Sequence, residues 1–276
     1  MKDGIYFYGD DHHFNPKWLL LIPAIAVVGA LAYLMYEHFN ENNEVTTVQQ
    51  PKEIEEQIPH KRDIELAATE NRLNVIDTVI NDIKVRLYIP PRDIKPKLRM
   101  GYNVINDTSD IILCLAAADA GINDKIIGAY IQDGEIQSTG LSKKGFCAII
   151  EDSTVVGMSE NSPMFEQAVN NKGSFFRQRA LVDSGRIVEN ELRGRFLCRA
   201  LCMKKRQIFA AHCIDNCSLY DFSQLLQDLG IEQAISLQSA KDAKGWYHDN
   251  EGKCELIGNW ESRKYPKSAN FIIWSL

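Results

Sequence analysis

The sequence predicts an α+β fold: a mixed or antiparallel sheet of hairpins with a few packed helices, behind one N-terminal transmembrane helix. Three observations carry that expectation. Turn-forming residues recur between short apolar runs from Lys125 onward, one capped amphipathic helix interrupts them, and an uncharged run lies near the start of the chain. The 276 residues, 45% hydrophobic and 25% charged, can build a core without disulfide staples. A net charge of -6, with only Lys204, Lys205 and Arg206 clustered among the basic residues, argues against a nucleic-acid partner.

The run Trp18 to Tyr36, WLLLIPAIAVVGALAYLMY, carries no charge and approaches the roughly 20 residues a membrane-spanning helix needs. Trp18, Tyr33 and Tyr36 sit near its ends, where aromatic rings favour the membrane interface. A cleaved signal peptide is the rival reading, since Ala30-Leu31-Ala32 resembles a cleavage site. Against it stand Asp3, Asp10 and Asp11 in a segment that should be positive, and apolar residues that continue past Ala32. Lys17 abuts the run on the N side and no Lys or Arg follows before Lys52, which places the N-terminus inside. The expected organisation is a short cytoplasmic segment at 1–17, a membrane helix at 18–36, a polar tether at 37–60 and a periplasmic or extracytoplasmic domain at 61–276.

Within the domain, apolar residues at mixed spacing from Asp63 to Ile83 permit a helix. The run IKVRLYIPP alternates as a strand closed by Pro90-Pro91, and KLRMGYNVI reads as a second. Four hairpins follow. Their strands flank Asp133-Gly134, the junction of FCAIIED with TVVGMS, Asp183-Ser184-Gly185, and the basic turn Lys204–Arg206. Ser218 then caps a helix whose buried stripe is Leu219, Phe222, Leu225, Leu226 and Leu229, and Gly230 stops it. The strand AISL comes directly after, with the polar loop QSAKDAKGWY where ligands commonly sit.

Seven cysteines leave at least one unpaired. Cys213 and Cys217 are close enough to pair across CIDNC, whereas Cys198 and Cys202 stand about 13 Å apart on a strand. A zinc site at His212, Cys213 and Cys217 lacks a matching second pair, and buried free thiols are the plainer expectation.

The ordered set N-x-G-S-F-F, a strand carrying R-A-L, D-F-x-x-L-L-x-x-L-G, then A-x-x-L and a polar loop resembles the phosphodiester glycosidase domain family. The similarity runs from about Gly101 to the C-terminus and is firmest over Asn170 to Tyr247. It implies a glycan or sugar-phosphate ligand, with Arg199 gripping a phosphodiester through its planar fork. It also implies that the loop Asn171, Gly173 and Ser174 approaches the phosphate, supplemented by Arg177 or Arg179. Gln238 and Ser239 would address sugar hydroxyls, and Trp246 would stack on a ring. The chain departs from the family at two places. Ser174 stands where a glycine is usual. The L-D-G-G-x-S motif is replaced by Leu237-Gln238-Ser239-Ala240-Lys241, and glutamine cannot act as a base.

Acid–base work would then fall to Asp215, His212 or Asp242. For each of these residues a structural role is the plainer alternative: a hydrogen-bonded histidine, a salt-bridged arginine, a core aromatic. No cofactor motif is present, and a divalent cation is the one cofactor the resemblance leaves open. Two functions are therefore expected in parallel. One is a membrane-anchored hydrolase acting on a sugar-1-phosphodiester or envelope glycan. The other is an inactive descendant that binds a glycan or a protein partner in an envelope complex.

Overall fold

The computed structural model describes residues 72–101, 104, 110–121, 125–140, 143–239, 243–260 and 269–276, all within the unit Ile58–Leu276. The expected cytoplasmic segment, membrane helix and tether lie outside the described residues. Among those described, no helix is long and apolar enough to cross a membrane.

Among the described residues, seventeen strands and two helices make the fold mainly β, arranged in three sheets whose pairings are all antiparallel. The first sheet has seven strands. They are β1 (Asn74–Ile80), β2 (Ile83–Ile89), β10 (Ala180–Asp183), β11 (Arg186–Ile187), β12 (Arg199–Lys204), β13 (Gln207–Cys213) and β14 (Gln233–Ser236), in the order β1-β2-β13-β12-β14-β10-β11. The second sheet holds β3 (Lys97–Met100), β4 (Ile111–Ala116), β15 (Gly245–His248), β16 (Cys254–Ile257) and β17 (Asn270–Ser275), ordered β16-β15-β4-β17-β3. The third holds β5 (Ala129–Gln132), β6 (Glu135–Thr139), β7 (Gly145–Ile150), β8 (Ser153–Met158) and β9 (Ser174–Gln178), ordered β6-β5-β9-β7-β8.

Alternation along the strands of the first sheet explains the layering. Val85, Leu87, Ala200, Cys202, Phe209 and Ala211 pack under helix α2 (Leu219–Asp228), whose Leu219, Phe222, Leu225 and Leu226 form the buried stripe the sequence predicts. Tyr88, Leu201, Ala210, Ile235 and Leu237 point the other way, into a core shared with Leu113, Leu115, Ile272 and Trp274 of the second sheet and Cys147 and Phe176 of the third. Ser218 Oγ accepts from the Asp221 amide at 3.0 Å, as the capping signature requires. Helix α1 (Met164–Asn170) buries Ala168 against Phe146 and Phe175.

Three expectations need correction. The segment Asn74–Ile80, read within a helix, is strand β1, paired residue for residue with β2. Its turn is Asn81-Asp82, both at positive φ (50° and 61°), which these short polar side chains tolerate. The run SFFRQRALV is two strands in two sheets, parted at Arg179. Strand β4 and helix α1 were not anticipated. The remaining hairpin turns are where the sequence puts them, with left-handed Asp133-Gly134, Ser184-Gly185 and Lys205-Arg206.

Candidate functional site

Four chain segments converge beside the C-terminal end of β14. Strand β4, buried throughout, delivers Ala117, Ala118 and Asp119 past its last residue. Asn270 fixes that exit by accepting from the Ala118 amide at 2.7 Å and donating to the Ala118 carbonyl at 3.0 Å. The Ala117 carbonyl accepts from the Gln238 amide at 2.8 Å and from Gln178 Nε2 at 3.1 Å. Lys143, almost wholly buried, donates from Nζ to Asp119 Oδ2 at 2.6 Å and to Gln178 Oε1 at 2.7 Å. Arg179 Nη1 stands 3.5 Å from the same Asp119 oxygen. Burial holds the Lys143 ammonium below its ordinary pKa, Asp119 opposes that shift, and Arg179 adds to it. The Asp119 and Arg179 side chains remain 30% and 37% exposed, so the cluster opens to solvent at this carboxylate, whose Oδ1 has no described partner.

A second group adjoins it through Gln238, whose carbonyl lies 3.5 Å from Arg199 Nη1. Strand register sets Arg199, His212, Arg86 and Asp77 in one row across β12, β13, β2 and β1. Arg86 grips Asp77 with two 2.6 Å bonds and donates to Tyr247 Oη at 2.7 Å. Among the described residues Arg199 faces no such carboxylate. Its guanidinium is 1% exposed, donates from Nη1 to the Ala243 carbonyl at 2.9 Å, and leaves Nε and Nη2 unpartnered. Burial lowers its pKa to about 10, so it stays cationic at neutral pH. A buried cation with two unused donors is costly unless an anion or carbonyl completes it.

His212 Nδ1 lies 3.4 Å from Tyr88 Oη, and Nε2 has no partner. Burial first, then Arg199 and Arg86, push its pKa down to about 3. A histidine held neutral at pH 4 to 7 is a poor general acid there. The linkage sign follows from the depressed value: between about 6.5 and 3 the unfolded chain binds a proton that the folded chain refuses. Stability is therefore expected to fall with pH across that window, by at most about 1.4 kcal/mol per unit. Urea midpoints from pH 7 to 4 should flatten in His212→Gln, and parallel slopes in the two proteins would refute the assignment.

Several sequence-predicted residues take other roles. Asn171 caps the end of α1, its Nδ2 donating to the Gln167 carbonyl at 3.0 Å. Gly173 is required by packing, because a Cβ there would meet the Ile149 carbonyl at 2.7 Å. Ser174 Oγ is buried and accepts from the Asp133 amide at 3.1 Å. That loop opens β9, while Gln178 closes it four residues, about 13 Å, away. Arg177 is buried and spends its fork on the carbonyls of Lys143, Ser159 and Glu160 at 2.7 to 2.8 Å. Trp246 is a core residue, 1% exposed among Ile111, Cys114 and Phe271, and offers no ring face to a sugar.

Asp215 lies in an exposed turn, and no described contact joins it to His212. Ser239 follows Gln238 and is partly exposed. Asp242 lies outside the described residues. Arg199, His212 and Gln238 are thus the predicted residues that the fold brings together. Sequence reasoning missed Asp119, Lys143 and Gln178, and singled out Arg179 only as a supplementary charge. The break between β9 and β10 at Gln178-Arg179, set in an otherwise apolar run, is the signal that points to them. Among the described residues no group of three His, Cys, Asp or Glu is placed to hold a metal ion.

The catalytic domain of zebrafish N-acetylglucosamine-1-phosphodiester alpha-N-acetylglucosaminidase, auto-inhibited by its pro-peptide, superposes with a TM-score of 0.50 at 12% identity, over 74% of this chain and 82% of that one. The two share a fold at a distance. A hypothetical protein from Synechocystis matches with a TM-score of 0.51 at 12% identity, covering 74% of this chain and 62% of its own. No family model matches the chain, and no curated protein sequence does.

Proposed function

We propose that the domain binds and cleaves a sugar-1-phosphodiester, and that Asp119 provides the carboxylate missing from the loop at Gln238. The observation that carries this reading is the double bridge at the Ala117 carbonyl, which ties Gln238 to the segment bearing Asp119 and to Gln178. A carboxylate open to solvent then sits beside the loop where the resembled family keeps its aspartate. Arg199, buried with two donors unspent, takes the phosphodiester when the ligand displaces the Gln238 and Ala243 carbonyls from it, and the polar cluster of Lys143, Gln178 and Arg179 positions Asp119. The shared fold of a catalytic domain named for this chemistry supports the substrate class. The uncharged run Trp18–Tyr36 supports a membrane anchor with the domain exported to meet an envelope glycan.

The test is turnover of a panel of chromogenic sugar-1-phosphodiesters by the purified full-length protein, with and without divalent cations. Asp119→Asn should cut kcat at least about 100-fold while product binding is retained. Absence of turnover on every substrate would overturn the hydrolase. One observation favours a second reading, a glycan- or partner-binding component without catalysis: Asp119 Oδ2 is already engaged by Lys143 and faced by Arg179. Glycan binding without turnover, unchanged in Asp119→Asn, would establish it.

A further inference from the structure

Directly behind the Arg199–His212 pair, on the opposite face of the sheet, lie three sulfurs. Cys198 precedes Arg199, Cys213 follows His212, and Cys217 ends the turn that leads into α2. The backbone knits them together. The Cys213 amide donates to the Cys198 carbonyl at 2.9 Å, and Phe196 and Cys217 exchange amide–carbonyl bonds of 3.0 and 3.1 Å. Cys217 Sγ lies 3.0 Å from Cys213 Sγ, and the Cys198 thiol reaches the Cys217 carbonyl at 3.8 Å. All three are free thiols and buried, while Ile214, Asp215 and Asn216 between two of them are exposed.

We propose that Cys213 and Cys217 are a disulfide-forming pair, with Cys198 as the alternative partner of Cys217. The pair needs about 1 Å of closure to reach bonding distance, and the exposed three-residue turn between them can supply it without moving β12 or β13. Cys217 is the attacking sulfur. Hydrogen bonds from Cys198 and Cys213 hold its thiol well below the usual range, helped by Arg195 and opposed by burial and Asp221. With a small-molecule disulfide as oxidant, the Cys217 thiolate attacks one oxidant sulfur and expels the other as a thiolate, leaving a mixed disulfide. The Cys213 thiolate then attacks the Cys217 sulfur, closing the protein disulfide and expelling the second small thiolate. Two protein thiols are oxidised, one oxidant disulfide is reduced, and the two thiol protons pass to the two departing thiolates. Pairing Cys198 with Cys217 instead would draw on the start of β12, where Arg199 is anchored, so the Cys213 bond is the favoured product.

The experiment equilibrates reduced full-length protein with oxidised glutathione. A Cys254→Ser background removes the one exposed thiol among the seven. Before alkylation the intact mass should be lower by two hydrogens, and after alkylation non-reducing peptide mapping should show a Cys213–Cys217 crosslink. In Cys213→Ser the crosslink should move to Cys198–Cys217, and in Cys217→Ser no crosslink should join these positions. Recovery of Cys213 and Cys217 as separate alkylated peptides from the Cys254→Ser protein would overturn the proposal, as would a Cys213–Cys198 bond. That first map needs no substitution within the thiol cluster, so it decides the matter even if the variants fold poorly. None of these outcomes depends on whether the domain turns over a phosphodiester.

Discussion

A Gly145→Ala protein is expected to unfold about 10 °C below the parent, a loss of about 3 kcal/mol. Gly145 opens β7, facing Gln178 of β9 in register. A Cβ at this position would stand 2.7 Å from both the Ala180 amide nitrogen and the Gln178 carbonyl oxygen, and 2.8 Å from Ile235 Cγ2. Two of those neighbours are backbone, so no side-chain rotation relieves the clash. The chain crosses here from the third sheet into the first, between β9 and β10, and the missing side chain is what lets the crossing lie against β7. Lys143 is two residues away and Gln178 lies across the strand, so the same close approach brings the buried amine to the Gln178 amide. Loss of ligand binding should therefore accompany the loss of stability. Gly157→Ala is the control: its Cβ would meet only the rim of the Phe146 ring at 3.3 Å, and its melting temperature should shift by no more than about 2 °C. A Gly145→Ala protein that melts with the control would show that the sheets tolerate separation at this junction.

The fold was legible wherever a local rule had a local cause. Positive φ at Asp133-Gly134, Ser184-Gly185 and Lys205-Arg206 selects the turn residues the sequence displays, and Ser218 marks the start of α2 by the bond it accepts. Legibility failed where tertiary packing decides. Strand β1 carries apolar residues at spacings that suit a helix, yet it pairs with β2, and the overlooked clue was Asn81-Asp82. Helix α1 follows Pro163 at its N-cap, without a side-chain cap, and buries only Ala168, so it announces itself weakly. The motif N-x-G-S-F-F misled for a related reason. Its glycine answers to the Ile149 carbonyl and its serine to the Asp133 amide, demands of packing that resemble a ligand loop in sequence. The polar cluster could not be read at all as a motif, because Asp119, Lys143, Gln178 and Gln238 come from four segments and meet only around the Ala117 carbonyl.

Arg199→Met is expected to leave the melting temperature unchanged or raise it, while weakening sugar-1-phosphate binding about 100-fold. The two effects have opposite signs because the residue is unfavourable for the fold and favourable for a ligand. Among the described residues the guanidinium is buried, faces no carboxylate, and leaves Nε and Nη2 without acceptors. Methionine fills similar space beside Tyr88 with none of that desolvation, at the cost of the Nη1 bonds to the Ala243 and Gln238 carbonyls, about 1 kcal/mol each. An arginine that served the core alone would behave as Arg86 should, whose removal strands Asp77 and lowers stability. For a phosphate or phosphodiester, the two free donors offer charge-assisted bonds worth about 1.5 to 3 kcal/mol each, so losing them costs at least about two orders of magnitude in affinity. Calorimetric titration with a sugar-1-phosphate and thermal melts of the same two proteins measure both signs. Arg199→Lys sharpens the contrast, since it restores the charge without the fork and should recover only part of the binding. A lower melting temperature with unchanged affinity in Arg199→Met would make the residue a structural clamp for the Gln238–Ala243 loop, and the phosphodiester site would have to lie elsewhere.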